Sequence, residues 1–504
     1  MLDLSGVAGA RFRSDLTLGN RSNAPVTVNV GFTHAPDFPL ASNDGSVSVT
    51  LAPLSELRAP DALQFFRDRG LPITISPSGN AGSVWIAVDP RALPAAGTDS
   101  VYAFSRTYTT GAAGSFGTFL DAPSDLEAAE SEGTVYGLRS VLGTSRSNLA
   151  VGHIPGRGTQ SLSLSIQVYD QSGAAAGAPT NTILLPGEWR QFNGILALAG
   201  LPDGAFGYAK ITRTGGIGSW TAYGVVNDAI TSDGSILPLY RPGGLAAGRR
   251  LVVPVVLDVF GLAGSHYTTE LTLANDGIFA TPVDLVYRPA PGSGSTTGVA
   301  VVTLPLAAHQ QTTIPDILAY LRSNGVNIPD PAQGAQAGSL SVDFRSLRTV
   351  DSPKTVAIAR TTTPNTDTAT GGAFGVAYPA AAKGGGARAS GLVPGLTRDA
   401  SVRSNLAVVH LGGGSETELA LSVRLYDAAT SLAVGREITV TLQPGDWTQW
   451  SGVFDTAGVP AGTTTAYAIV TRLSGDDTWL AYGVLNDEKT SDGSVIRMIP
   501  GADY

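Results

Sequence analysis

Leu162-Ser163-Leu164-Ser165-Ile166-Gln167-Val168 alternates apolar and polar residues, and Leu419-Ala420-Leu421-Ser422-Val423-Arg424-Leu425 repeats the pattern 257 positions later. A period of two is the signature of a strand with one face in a core and one in water. Val26-Thr27-Val28-Asn29-Val30-Gly31-Phe32 reads the same way. Gly, Asn, Pro and Ser cluster between such runs, as strand-connecting turns require.

The repeat extends well beyond these strands. Ser147-Asn148-Leu149-Ala150-Val151 returns as Ser404-Asn405-Leu406-Ala407-Val408, and Pro186-Gly187-Glu188-Trp189 as Pro444-Gly445-Asp446-Trp447. Ala222-Tyr223-Gly224-Val225 returns as Ala481-Tyr482-Gly483-Val484. Asn227-Asp228 through Thr231-Ser232-Asp233-Gly234-Ser235 returns as Asn486-Asp487 through Thr490-Ser491-Asp492-Gly493-Ser494. This unit is module B. A second unit, module A, precedes each B. Asp15-Leu16-Thr17-Leu18 matches Glu270-Leu271-Thr272-Leu273, and Pro60-Asp61-Ala62-Leu63 matches Pro315-Asp316-Ile317-Leu318. A and B share an order of strands, a Leu-Pro or Leu-x-Pro turn, a short helix-like segment and two closing strands. They read as distant copies of one plan.

The expected fold is therefore all-β, with four tandem β-sandwich-like modules arranged A-B-A-B over 1–123, 134–240, 250–380 and 391–504. Helices are expected only over Pro60–Arg69 and Pro315–Ser323, one short helix in each A module. Each has proline in its first turn and a stop at Gly70 or Gly325. Residues 123–133, 241–249 and 380–390 read as linkers.

Composition agrees. In 504 residues, 43% are hydrophobic and only 14% charged, with 62 Gly and 31 Pro. Many short strands and turns give that balance, whereas long surface helices need more charge. Net charge is −9, lysine occurs only at positions 210, 354, 383 and 489, and no basic run exists; a nucleic-acid surface is not expected. The absence of cysteine excludes disulfides, thiolate metal sites and cysteine nucleophiles. No apolar stretch is long enough for a transmembrane helix.

The second A module is preceded by the apolar run Leu251–Val256, whose counterpart in the first falls before Met1. Two expectations follow: the natural chain begins upstream, or the first module lacks a strand that a neighbouring molecule supplies, giving head-to-tail polymers.

Phe12-Arg13-Ser14-Asp15-Leu16, Ser105-Arg106-Thr107-Tyr108 with Gly114-Ser115-Phe116-Gly117, Pro186-Gly187-Glu188-Trp189-Arg190-Gln191 and Tyr223-Gly224-Val225-Val226-Asn227-Asp228 follow one another in a fixed order. That order resembles a family of repeated Ig-like β-sandwich modules found in large secreted and cell-surface bacterial proteins. Tyr267-Thr268-Thr269-Glu270 departs from it in the second A. The resemblance implies an extracellular accessory, adhesive or structural role, and no catalytic residues.

The chemistry-bearing residues are few. The five histidines are His34, His153, His266, His309 and His410, with no His-Glu-x-x-His pair. There is no Gly-x-Ser-x-Gly elbow, and Gly292-Ser293-Gly294-Ser295 reads as a turn. Gly156-Arg157-Gly158 lacks the Gly-Lys-Ser/Thr of a phosphate loop. His153 and His410, equivalent in the two B modules, are expected to be structural. The oxygen-rich loops make Asp228, Asp233, Asp487 and Asp492 weak calcium candidates, although Asp-Gly is also an ordinary turn signal. Trp220 and Trp479 are expected in the core; their other reading is sugar stacking on an exposed face. No cofactor is expected. The functional expectation is a non-catalytic extracellular structural or adhesive protein, self-associating through module edges. Its alternative is a carbohydrate-binding array of a secreted enzyme, with a surface polysaccharide as partner.

Overall fold

The computed structural model of the protein describes residues 2–501 apart from 6–10, 39–43, 75–78, 89–99, 112–113, 125–126, 157–159, 242–247, 262–263, 292, 294–299, 346–353 and 367–370. The Gly156-Arg157-Gly158 and Gly292-Ser293-Gly294-Ser295 readings lie largely outside the described residues.

The fold is mostly β, in several antiparallel sheets with few short helices. The first B module displays the plan. One sheet runs Ala175–Leu184, Leu162–Asp170, Ala205–Gly215, Glu132–Val141. The other places Trp189–Phe192 beside Ser145–Ile154, then Ser219–Asp228 and Gly234–Pro238. Leu162–Asp170 alternates buried and half-buried residues, so its period-two sequence faces the core as expected. The first strand bulges between Val135 and Leu138 and pairs at its far end with Ser145–Ile154, tying the two sheets together. The bulge falls at Gly137, whose φ of +82° is costly for any residue with a side chain.

The second A and second B modules follow the same strand order, with matching bulges at Val253/Val256 and Val393/Leu396. A and B are thus one plan in topology. The first A module departs from it. Among the described residues its opening strand covers Leu2–Ser5, and its second is split into Arg11–Ser14 and Leu16–Asn20.

The helical expectation needs two corrections. Each B module also has a one-turn helix, Ile195–Leu198 and Val453–Thr456, at the place the A helices occupy. These start from Gly194 and Gly452 in the left-handed region, without the Pro-Asp signal. In the A modules proline is not in the first turn. Asp61 and Asp316 are the N-caps, accepting from the amides of Gln64 and Ala319, both at 2.9 Å. Gly70 and Gly325, at φ +88° and +87°, follow the helix ends as expected.

Each module has a core between its sheets. In the second B, Leu419, Leu421, Val423 and Leu425 of one sheet meet Leu406, Val408 and Ala481 of the other. Segments read as linkers are partly stitched into this framework. Ala129 bridges to Trp220 and Ala387 to Trp479, and Ala381–Ala382 pairs with Leu251–Val252.

The main strand-on-strand contacts between modules join the first B to the second A, its neighbour in sequence, and the first A to the second B, at the other end of the chain. Gly114–Asp121, the last strand of the first A module, packs on Gly493–Arg497 of the second B. Ala373–Pro379, its counterpart in the second A, packs on Gly234–Pro238 of the first B. Within each half, Ser83 donates to the Gly187 carbonyl, and Ser339 to the Gly445 carbonyl at 2.5 Å. The four modules close a cycle of contacts in which the first touches the last.

Candidate functional site

The duplicated Asn-Asp…Thr-Ser-Asp-Gly-Ser loops lie at the two crossed junctions. In the first B, Asp228 Oδ1 accepts from the amides of Ile230 (2.9 Å) and Thr231 (2.7 Å), which fixes the loop. Its Oδ2 accepts from the amide of Ala373 in the second A at 3.0 Å. Thr231 Oγ1 donates to the Ala373 carbonyl (2.9 Å), Asp233 Oδ2 accepts from the Gly375 amide (2.7 Å), and Ser235 Oγ donates to the Gly375 carbonyl (2.9 Å). Arg360 Nε donates to Ser235 Oγ at 2.9 Å.

The second B repeats the set on the first A module. Asp487 Oδ2 accepts from the Ser115 amide (2.8 Å) and hydroxyl (2.9 Å). Thr490 Oγ1 donates to the Ser115 carbonyl (3.0 Å), Asp492 Oδ2 accepts from the Gly117 amide (3.0 Å), and Ser494 Oγ donates to the Gly117 carbonyl (2.6 Å). Arg106 Nε donates to Ser494 Oγ at 3.2 Å. Each loop is a latch that holds an A module of one half to the B module of the other.

The bulge glycines make a second set of junction contacts. The Gly137 amide donates to Gln311 Oε1 at 2.8 Å, and the Gly395 amide to Glu56 Oε1 at 3.1 Å. Bulging turns a backbone N–H away from the ladder, and the neighbouring module receives it. An arginine beside an acid marks both junctions, buried at the first and partly exposed at the second, but the arginine changes module. Arg139 of the first B forks onto Glu270 of the second A. At the other junction the position of Arg139 holds Thr397, and Arg58 of the first A lies 3.6 Å from Asp15 and donates to Thr397 Oγ1 at 2.6 Å.

The electrostatics of the latches separate their carboxylates. Burial would raise Asp487, but the amides of Thr490, Ser115 and Lys489 and the Ser115 hydroxyl outweigh it, and the group lies below the usual range. Asp233 and Asp492 behave oppositely. Burial pushes Asp233 up to about 7 despite the Gly375 amide and Arg360. Burial also raises Asp492, and the negative charge of nearby Asp233 raises it further, against the Gly117 amide and Arg106. Each leaves Oδ1 buried without a hydrogen-bond partner. The charge of Asp233, from the other B module, thus disfavours ionisation of Asp492. Phe116 and Phe374, from the two A strands that the latches hold, meet with ring centroids 5.7 Å apart.

The calcium candidates are thereby placed. Asp228 and Asp487 are filled by amide and hydroxyl donors, and Asp233 and Asp492 each hold an amide from another module beside an arginine. Backbone N–H groups are aimed at both oxygens of Asp228 and Asp487 and at Oδ2 of Asp233 and Asp492. Among the described residues no group of three or more His, Asp or Glu is placed to hold a metal. The sugar-stacking reading of Trp220 and Trp479 is corrected: both are 0% exposed and present no ring face to a ligand. Trp189 and Trp447 donate to Tyr223 (3.1 Å) and Tyr482 (2.8 Å). His153 and His410 are buried within strands; His410 Nε2 lies 3.1 Å from the Thr417 carbonyl. A recess of about 30 Å³ at the first B–second A junction is lined by Glu132, Tyr136, Tyr240, Asp276 and Lys354. That is space on the order of one water.

Fold and junctions define an all-β, multi-sheet protein whose modules are latched to one another. No family model and no curated protein sequence matches the chain. Among solved structures, an anti-sigma factor domain-containing protein aligns over 82% of this chain and 91% of its own at 8% identity, with a TM-score of 0.11. A DUF4785 family protein from Legionella pneumophila aligns over 73% and 87% at 9% identity, with a TM-score of 0.13. Neither likeness bears on what this chain does.

Proposed function

We propose that the protein is a non-catalytic structural or adhesive component of an extracellular or cell-surface assembly. The observation that carries this reading is the use of the most faithfully repeated motif. Its Asp, Thr and Ser side chains at 228, 231, 233 and 235, and again at 487, 490, 492 and 494, join module to module. A motif copied to build junctions belongs to a scaffold. The low charge, the strand-rich composition and the resemblance to secreted bacterial modules support the same reading. The carbohydrate-binding alternative loses the two aromatic faces that motivated it, since Trp220 and Trp479 are core.

Light scattering across a concentration series, with negative-stain images, tests the assembly half of the proposal. Lateral or end-to-end assemblies that grow with concentration are expected. A particle of single-chain mass at every concentration overturns self-assembly.

A further inference from the structure

Each half of the chain, an A module with the B that follows it, meets the other half at both crossed junctions. Most contacts there match one for one. The latch carboxylates receive the same A-strand amides, Ala373 and Gly375 at one junction, Ser115 and Gly117 at the other. The bulge amide meets a side-chain oxygen in each case, of Gln311 or of Glu56. Arg360 and Arg106 match as well, each donating to a latch serine. Contacts of this kind would form between two copies of one half as readily as between the two different halves.

The acid and its further arginine do not match. At the first junction Glu270 of the second A faces Arg139 of the first B, and the A-module position beside the acid is Thr313. At the second, Asp15 faces Arg58 at that same A-module position, and the B-module position after the bulge is Thr397. Glu270, Arg139 and Asp15 are 14%, 7% and 6% exposed, and Arg58 30%. Each junction thus has one such arginine for one acid, beside the arginine common to both. Pairing like halves breaks that count. Two copies of the first half would bring Arg58 and Arg139 together on Asp15. Two copies of the second would leave Glu270 with Thr313 and Thr397 and neither arginine. An added like charge repels, and an enclosed acid deprived of its partner keeps its desolvation cost without the offset.

We propose that this triad of positions selects the partner: the junction face of each half accepts the unlike half, from the same chain or from a second copy, and rejects its own kind. The latches supply attraction that does not discriminate. The placement of the arginine, on the B module in the first half and on the A module at the second junction, penalises the wrong pair, and specificity of that sort lies in the penalty.

The inference adds a rule of partner choice to the assembly reading above and is tested apart from it, in the intact chain. Arg139→Thr/Thr397→Arg exchanges the two B-module residues. Composition and net charge are unchanged, and each position receives the side chain that its sister already holds. The exchange mismatches both junctions within one chain and satisfies both like pairs between two chains. Adding Arg58→Thr/Thr313→Arg and Asp15→Glu/Glu270→Asp exchanges the whole triad and restores the match within one chain. Native mass spectrometry over a dilution series reads the smallest particle, which growth of larger assemblies with concentration does not alter. One chain is expected for the parent and for the whole-triad variant. Two chains are expected for the two-site variant, with a melting temperature that rises with concentration. Any result for the two-site variant other than a folded two-chain particle overturns the proposal. So does a whole-triad variant that fails to recover the parent's mass and melting temperature, because the two-site result would then come from packing at these positions.

Discussion

Asp228 accepts the backbone N–H of Ala373 at 3.0 Å across 145 residues of sequence. Asp487 does the same for Ser115, 372 residues away. In each case the other carboxylate oxygen holds the local turn. One side chain therefore shapes its own loop and joins it to another module, which couples the order of the loop to closure of the junction.

Removing that carboxylate should loosen the junction. Hydrogen bonds to a charged group are worth about 1.5–3 kcal/mol, and Asp487 accepts from Ser115, Lys489 and Thr490 together. Asp487→Ala is expected to destabilise the chain by about 3 kcal/mol in urea unfolding. Exchange should rise at the Ser115 and Gly117 amides. A cost within about 0.5 kcal/mol, the range of ordinary surface substitutions, would mean the latch is not under tension in the folded chain.

Chelation should do nothing. Donors fill the carboxylates of Asp228 and Asp487, and Asp233 and Asp492 each already accept an amide. The melting temperature in EDTA should match that in millimolar calcium. A rise with calcium would restore the cation reading of these loops.

Stability should fall as pH rises from about 4 to 7. The folded pKa of Asp233 is raised by burial to about 7, and Asp492 is raised too, against an ordinary aspartate near 4. A raised folded pKa means that the folded state binds more protons than the unfolded one. Its contribution is complete below the unfolded value and is lost as pH climbs through the folded one. Asp487 has the opposite sign and acts only below the ordinary range, where its folded form resists protonation. Asp233→Asn/Asp492→Asn keeps an oxygen for the Gly375 and Gly117 amides. The double variant should flatten the slope of melting temperature between pH 4 and 7 and melt higher than the parent at pH 8. An unchanged slope would place the two acids outside the titration.

Truncating a buried tryptophan should cost stability and leave glycan binding unaltered. Phe or Trp to Ala in a core costs about 3–5 kcal/mol, and Trp220 and Trp479 are fully enclosed. Trp479→Ala is expected to fall in that range by chemical unfolding. Loss of affinity on a glycan panel by a variant that remains folded would bring the sugar reading back.

The strands were legible because period two reports a local property, which residues face a core. Leu162–Asp170 and Val26–His34 buried the residues their alternation named. The plan was legible because it was written several times, and a repeat needs no structure to be seen. The B-module helices were legible only as a helix-like place in the shared order. Ile195–Leu198 and Val453–Thr456 are single turns entered through a left-handed glycine, too short for a helical period to register.

Sequence alone therefore determined the strands, the turns and the repeated order, since each depends on residues near one another in the chain. Tertiary structure decided the work of the Asp loops. Asn227-Asp228 and its copy read first as a turn and only weakly as a cation loop, because both need oxygen at that spacing. Only the arrival of Ala373 and Ser115 from other modules shows what these carboxylates hold. The same holds for the acid–arginine pairs. Arg139 meets Glu270 at one junction and Arg58 nears Asp15 at the other, so aligning the repeats conceals the equivalence. What is kept is an arginine facing an acid at the junction, which either bordering module can supply.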